Sequence, residues 1–331
     1  MNYGDVMEQQ KKSIAVGGQA VIEGVMMRGP EHIATAIRRA DGTIELKKEP
    51  FVSITQKKKI LGVPLIRGFV SLIEMMKIGI GTLTFSANRW ELDNQDEKKK
   101  EKSAGFEKFT EVLSYIFSFG LAFLLFGILP YKISDWVHLS KQNLYFNLVA
   151  GLIRIVFFVV YLLIISKLKD IHRVFQYHGA EHKSVNAYEK ETGLDLESVQ
   201  KQTTLHPRCG TSFMFFVLLV SILIFSIIDT LAVAWIFHEP PQVLVRLGYH
   251  ILFFPLISGV SYEILRMSGK NLHHPLVKLM TIPGMSLQRI TTQPPDDQMV
   301  ECAVVAMKAA LDMDISEYNV TLIGDENDSK R

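Results

Sequence analysis

Residues 213–237 read FMFFVLLVSILIFSIIDTLAVAWIF, from Phe213 to Phe237, with Asp229 as the one charged side chain in the run. A helix needs about 20 consecutive apolar residues to cross the ~30 Å of hydrocarbon in a bilayer, and this run is long enough. Three others match it: Val112 to Tyr131, Leu144 to Ser166 and Val245 to Leu265. Bulk composition decides little, since 48% hydrophobic residues and a net charge of +2 over 331 residues fit many classes. The clustering decides the class. An α-helical polytopic membrane protein with about four transmembrane helices is expected.

The basic residues set the orientation. Of 36 Lys and Arg, 18 precede the first run, 7 lie between the second and third, and 7 follow the fourth. The positive-inside rule therefore predicts that both termini and the central loop are cytoplasmic, in a multi-pass protein of the cell (plasma) membrane. Tyr131, Trp136, Tyr145 and Trp235 then gather at the outer ends. No cleavable signal peptide is expected, because the first thirty residues carry Asp5, Glu8, Lys11 and Lys12 and no continuous apolar core. Cys209 and Cys302 fall in a reducing compartment, which favours metal ligation or burial over a disulfide.

The chain divides at composition changes. Residues 1–55 are expected to form a small β-rich cytoplasmic unit, with Ala34 to Arg39 and Thr43 to Lys48 meeting at the turn dipeptide Asp41-Gly42. Its glycine-rich stretch, Gly17 to Gly29, lacks the spacing of a phosphate loop and suits close backbone packing, with an anion cradle as the alternative. Residues 56–110 combine an apolar segment, Leu61 to Ala87, with a charged linker, Asp93 to Lys102. Arg67, Glu74 and Lys77 interrupt that segment and favour an interfacial or re-entrant helix over a span. Membrane helices occupy 111–166 and 213–265, a cytoplasmic metal-binding loop 167–212, and a cytoplasmic segment 266–331. Within the last, Asp296 to Leu311 follows Pro294-Pro295 with helical spacing and is expected to pack on the N-terminal unit as a soluble helix. The final residues, with Asp325, Glu326 and Asp328, are expected to be disordered.

The most specific chemistry lies in the central loop. His178 and His182 fall one turn apart if the helix of the second span continues, so both imidazoles reach one ion. Glu181 completes His-x-x-Glu-His, the arrangement of inverzincin metalloproteases, in which the carboxylate is the base for metal-bound water. His206-Pro207-Arg208-Cys209-Gly210 has the shape of a zinc knuckle. Together, His178, His182, His206 and Cys209 offer four N/S ligands, a set that suits Zn2+. If all four bind, the site is closed and structural, with Glu181 orienting a ligand. If His206 or Cys209 stays out, water takes the fourth position and Glu181 becomes a base.

Other candidates rank lower. Arg154 and Asp229 lie at similar depth and are expected to pair, as a helix clamp or part of a polar pathway. Glu263 is expected to pair with Arg266 or Lys167, with ligation as the alternative. His172 falls on another face, and the neighbouring side chains of His273-His274 point apart.

The segments Gly17 to Arg28, Tyr177-His178-Gly179-Ala180-Glu181-His182-Lys183, His206-Pro207-Arg208-Cys209-Gly210-Thr211 and Leu287-Gln288-Arg289-Ile290-Thr291-Thr292 resemble the YqhQ-like family of bacterial membrane proteins. That resemblance spans nearly the whole chain and implies a membrane location and a metal, without an established reaction. Two functions follow from the residues: a zinc-stabilised scaffold or accessory factor in membrane-protein handling, or a membrane-anchored metallohydrolase. Transport near Arg154 and Asp229 is a third. The bilayer is the expected partner, with a membrane protein or a second copy as further ones and no nucleic acid.

Overall fold

The structure of the protein is a computed structural model that describes residues 16–94, 104–136, 144–239, 241–270 and 274–323. Of the charged linker expected over Asp93 to Lys102, residues 95–102 lie outside the described residues, as does the acidic tail with Asp325, Glu326 and Asp328.

Four strands, β1 (Gly17–Val21), β2 (Gly24–Arg28), β3 (His32–Arg38) and β4 (Ile44–Pro50), form an antiparallel meander, and β5 (Val320–Ile323) pairs in parallel with β4. The hairpin at Asp41-Gly42 is as expected: Gly42 takes φ +86°, and Asp41 Oδ1 accepts from the Thr43 amide at 2.9 Å. The glycine-rich stretch forms β1 and β2. A Cβ on Gly18 would stand 2.3 Å from the Met26 carbonyl oxygen, so close backbone packing is its use.

Side chains alternate across the sheet with period two. Val25, Met27, Ala34, Ala36, Ile44 and Leu46 face a core shared with two helices, Lys169–Glu189 and Asp297–Ala310, while Val21, Met26 and Ile33 face Met75 and Ile78 of α1 (Ile66–Asp93). Fully buried methionine or leucine side chains each contribute about 1.5–3 kcal/mol. The helix at 297–310 is the one expected near the C-terminus. Asp296 caps it by accepting from the Met299 amide at 2.8 Å, and it packs on β2 and β3. Cys302 lies in this core, donating to the Ala36 carbonyl at 3.2 Å, and burial pushes its thiol up to about 12.

The remainder is helical. α2 (Ala104–Phe123) passes through a π-helical stretch, Leu124–Ile128, into α3 (Leu129–Trp136). α4 (Leu144–Ile165), α5 (Lys169–Glu189), the short α6 (Leu196–Gln200), α7 (Gly210–Ala232), α8 (Val243–Lys270), α9 (Pro275–Thr291) and α10 (Asp297–Ala310) follow, and α7 continues as a π-helix over Val233–Phe237. Among the described residues, five helices are long and apolar enough to cross a membrane: Ile66–Asp93, Val112–Trp136, Leu144–Ile165, Gly210–Phe237 and Leu244–Met267. Four coincide with the expected runs. The fifth is α1, the segment expected to be an interfacial or re-entrant helix: it carries Arg67, Glu74 and Lys77 and is nonetheless one continuous helix that meets the length and composition of a span.

α1 is tied at both ends. Near its start, a Cβ on Gly68 would press on Tyr262 and Gly259 of α8, and at that close crossing Arg67 Nε donates to Glu263 Oε1 at 2.7 Å. Glu263 therefore pairs with Arg67 and not with Arg266 or Lys167, a partner 196 positions away that only the helix crossing supplies. Further along, Gln19 donates to Thr82 Oγ1 at 2.8 Å, and Asp93 accepts from Arg39 Nε at 2.9 Å.

The expected Arg154–Asp229 pair is also corrected. Asp229 accepts from Arg246, from Tyr249 at 2.6 Å and from His250 at 2.8 Å, while Arg246 also donates to Asn147 at 2.8 Å. Arg154 donates instead to the Phe126 carbonyl at 3.0 Å, within the π-helical stretch. Depth alone suggested Arg154, but α8 returns antiparallel to α7 and sets three donors opposite the carboxylate.

Candidate metal centre

α4 ends at Ile165 and α5 begins afresh at Lys169, so the histidines sit on a separate helix rather than on a prolonged span. Within α5 the spacing acts as expected. The rings of His178 and His182 lie 4.5 Å apart between centroids. His178 Nδ1 meets the Thr291 carbonyl at 2.8 Å and His182 Nδ1 meets the Thr204 carbonyl at 2.5 Å. A carbonyl only accepts, so each Nδ1 carries a proton, and in the neutral ring each Nε2 keeps its lone pair.

Cys209 caps α7, its sulfur accepting from the Thr211 amide at 3.4 Å. Its Sγ lies 3.3 Å from His178 Nε2, and the donor atoms of His178, His182 and Cys209 all fall within 4.8 Å of one another. Zinc bonds run about 2.0–2.1 Å to nitrogen and ~2.3 Å to sulfur, so donors this close can share one ion. Burial lowers the His182 pKa, which keeps the ring neutral and able to ligate.

His206 is the expected ligand that the structure does not bring into this set. Its ring centroid is 5.8 Å from that of His182, and its Nε2 meets Glu189 Oε2 at 3.2 Å. The main chain is pinned as well: the His206 amide donates to Gln288 Oε1 at 2.8 Å, and Gln288 Nε2 donates back to the His206 carbonyl at 2.7 Å. Burial works to raise the Glu189 carboxyl, but His206 and Arg208 outweigh it and hold the group below its usual range.

Glu181 is buried beside the cluster, with Oε2 3.5 Å from His182 Nε2. Burial raises its pKa, opposed by the nearby histidines and by a bond from the Gly18 amide. The sheet therefore reaches the centre, and a Cβ on Gly18 would sit 3.1 Å from Glu181 Cγ. Gly179 has a similar reason, since its Cβ would lie 2.1 Å from the Gln293 carbonyl oxygen where residues after α9 run along α5.

Sequence reasoning missed the supporting shell of Thr204, Thr291, Gln288, Glu189 and Gly18. Glu189 had a signal, because seven residues beyond His182 is two helical turns on the same face. The carbonyls of Thr204 and Thr291 had none, as any residue type supplies one.

The family model DUF1385, described as a protein of unknown function, matches residues 63–313. A Bacillus subtilis (strain 168) protein called "Uncharacterized protein YqhQ" is 33% identical over 324 residues, covering 95% of this chain and 98% of that one. No solved structure matches the chain. By the family model and by this near full-length relative, the chain belongs to the DUF1385 family, the YqhQ-like proteins of unknown function.

Proposed function

We propose that this chain is a multi-pass protein of the bacterial cell membrane that binds one zinc ion near its cytoplasmic face through His178, His182 and Cys209, and acts there as a metal-dependent hydrolase with Glu181 as base. The observation that carries the reading is the pair of fixed imidazoles. Both Nδ1 atoms are tied to main-chain carbonyls while both Nε2 atoms turn toward one thiol, and metal-binding histidines are oriented in this way. Zinc held by three protein donors retains a position for water and lowers the pKa of that water to about 7. Glu181 is close enough to this ligand set to take a proton, and burial raises its affinity for one, the direction a general base needs.

The membrane part of the reading assigns crossings to Val112–Trp136, Leu144–Ile165, Gly210–Phe237 and Leu244–Met267. Both termini and the basic central segment then share the cytoplasmic side. α1 is assigned to the inner interface, because its second half hydrogen-bonds to β1 and to Arg39 of the soluble sheet. The bilayer is thus the first partner.

One observation favours a second reading, a metal-stabilised scaffold. His206 stands beside His182, and rotation away from Glu189 would offer a fourth ligand and close the sphere. Cobalt substitution separates the two. The hydrolase reading expects one metal per chain, a visible cobalt spectrum that changes with pH near neutrality and is moved by Glu181→Gln, and undiminished metal in His206→Ala. A pH-independent spectrum that collapses in His206→Ala supports the scaffold, and absence of stoichiometric metal overturns both.

A further inference from the structure

A cleft of about 670 Å3 separates α1 from the sheet face formed by β3 and β4. Its size lies within the ~300–1,000 Å3 of pockets that enclose small ligands. Phe51, Phe69, Val70, Ile73, Ile78 and Phe85 make its lining mainly apolar. Four charged side chains reach it, and they are not equivalent. Lys47 Nζ is 2.8 Å from Glu49, so these two neutralise each other. Glu74 accepts from Ser53 Oγ at 2.7 Å and from the Ile54 amide at 2.8 Å, which occupies both its oxygens. Lys77 is exposed at the rim, and the exposed run Lys57-Lys58-Lys59 follows Val52 and Ile54 of the cleft wall. The four lining charges balance, so the positive excess at this end comes from Lys57-Lys58-Lys59 beside the cleft, with Lys77 as the cation at its rim and a greasy interior.

The same helix carries an exposed apolar stripe. Ile66, Ile73, Met76, Ile80 and Leu83 are each 42–61% exposed and recur at helical spacing. Ile73 belongs to both the stripe and the cleft wall, so the cleft opens beside the face that the proposed arrangement lays against the bilayer. Lys77 stands one turn beyond Ile73, where a lysine can bury its stem and leave its ammonium at headgroup level.

We infer that this cleft is a lipid-binding site that takes one acyl chain of an anionic phospholipid from the cytoplasmic leaflet, with the headgroup phosphate at Lys77. The inference rests on the bilayer reading given above and is independent of the metal.

The test uses the full chain in nanodiscs containing phosphatidylglycerol or phosphatidylcholine with a photoactivatable group on the acyl chain. Crosslinked peptides from α1, β3 and β4 are quantified by mass spectrometry. A basic residue near an anionic surface contributes about 1 kcal/mol, so phosphatidylglycerol should label the cleft roughly fivefold more than phosphatidylcholine, and Lys77→Glu should remove that preference. Gly81→Trp should block the cleft without disturbing the helix, because Gly81 lines it and a Cβ there meets nothing within 4 Å. Its labelling should fall at both headgroups while its thermal midpoint holds.

Equal labelling of Gly81→Trp and the parent protein overturns the site. So does equal labelling by the two lipids, or preferential labelling by free photoactivatable palmitate. Failure of the protein to enter discs overturns the bilayer reading and this inference together, whereas entry without cleft labelling overturns this inference alone.

Discussion

Two polar clusters that include histidine lie in different parts of the molecule, and their electrostatics are opposite. Around Asp229, donors converge on a carboxylate: Arg246, Tyr249 and His250 all point at it, and the group balances its own charge. Around Cys209, acceptors converge: His178 and His182 spend their ring protons on Thr291 and Thr204 and present lone pairs to a sulfur. The first cluster is complete as an ion pair within the bundle. The second has the donor set of a cation site. A histidine beside a charged residue therefore does not mark a metal centre by itself; the direction in which its protons are fixed is what separates the two clusters.

The sharpest way to break this contrast is to remove a ligand from one cluster and the carboxylate from the other. His182→Ala or Cys209→Ser should cost more metal affinity than the ~10–100-fold typical of a supporting residue, and should lower the thermal midpoint as well. Metal analysis after equilibration with a competing chelator measures it. Retention of stoichiometric zinc by both variants would remove the metal reading.

Asp229→Asn should be the next largest effect. It leaves the half-buried Arg246 without its counter-charge, and since losing one partner of a fully buried pair costs about 3–5 kcal/mol, the loss here should approach the lower end of that range. Zinc content should stay unchanged. The paired replacement Asp229→Leu with Arg246→Met should recover much of the loss, since a well-packed apolar pair often equals a buried ion pair. Denaturation in mixed micelles reads both, and a loss of zinc in Asp229→Asn would show that the clusters are coupled.

Gln288→Ala probes the support of the candidate metal centre. It deletes bonds to both main-chain groups of His206 and to Ser212 Oγ at 2.9 Å. An unsatisfied buried amide or carbonyl costs about 1–3 kcal/mol, so stability should fall by that order, and zinc affinity should fall less than in the ligand variants.

These residues also show what the sequence could disclose. The apolar runs, the Asp41-Gly42 hairpin, the helix at 297–310 and the His178–His182 pair were legible, because each depends on spacing within one short segment. Arg67 with Glu263, Arg246 with Asp229 and Gln288 with His206 were not. Each is a tertiary meeting, fixed by where two elements cross. His206 lies between these cases. Its spacing to Cys209 announced a knuckle, but Glu189 and Gln288, which draw it aside, come from α5 and α9. Gln288 and Thr291 were visible as part of a family signature, yet their role needed the geometry.

The finest test concerns Glu181 and the sign of its pH dependence. Burial places its carboxyl above the ordinary value of 4.5. An acid raised by folding contributes stability that is complete below the unfolded pKa and is lost as pH rises through the folded one. His182 acts oppositely. Its pKa is lowered from 6.5, so its contribution is present above that value and lost as pH falls through the folded pKa. The two trends overlap in the parent protein, and Glu181→Gln separates them by deleting only the first. In chelator, the variant should be the more stable of the two near pH 8, with the difference closing toward pH 4.5. Added zinc should narrow the gap at high pH, because a cation beside the carboxylate offsets the cost of its charge. Thermal midpoints across pH 4.5–8, with and without zinc, measure this. Parallel curves in chelator would mean that the Glu181 charge is not held at a cost, and the contrast between the clusters would then rest on His178, His182 and Cys209 alone.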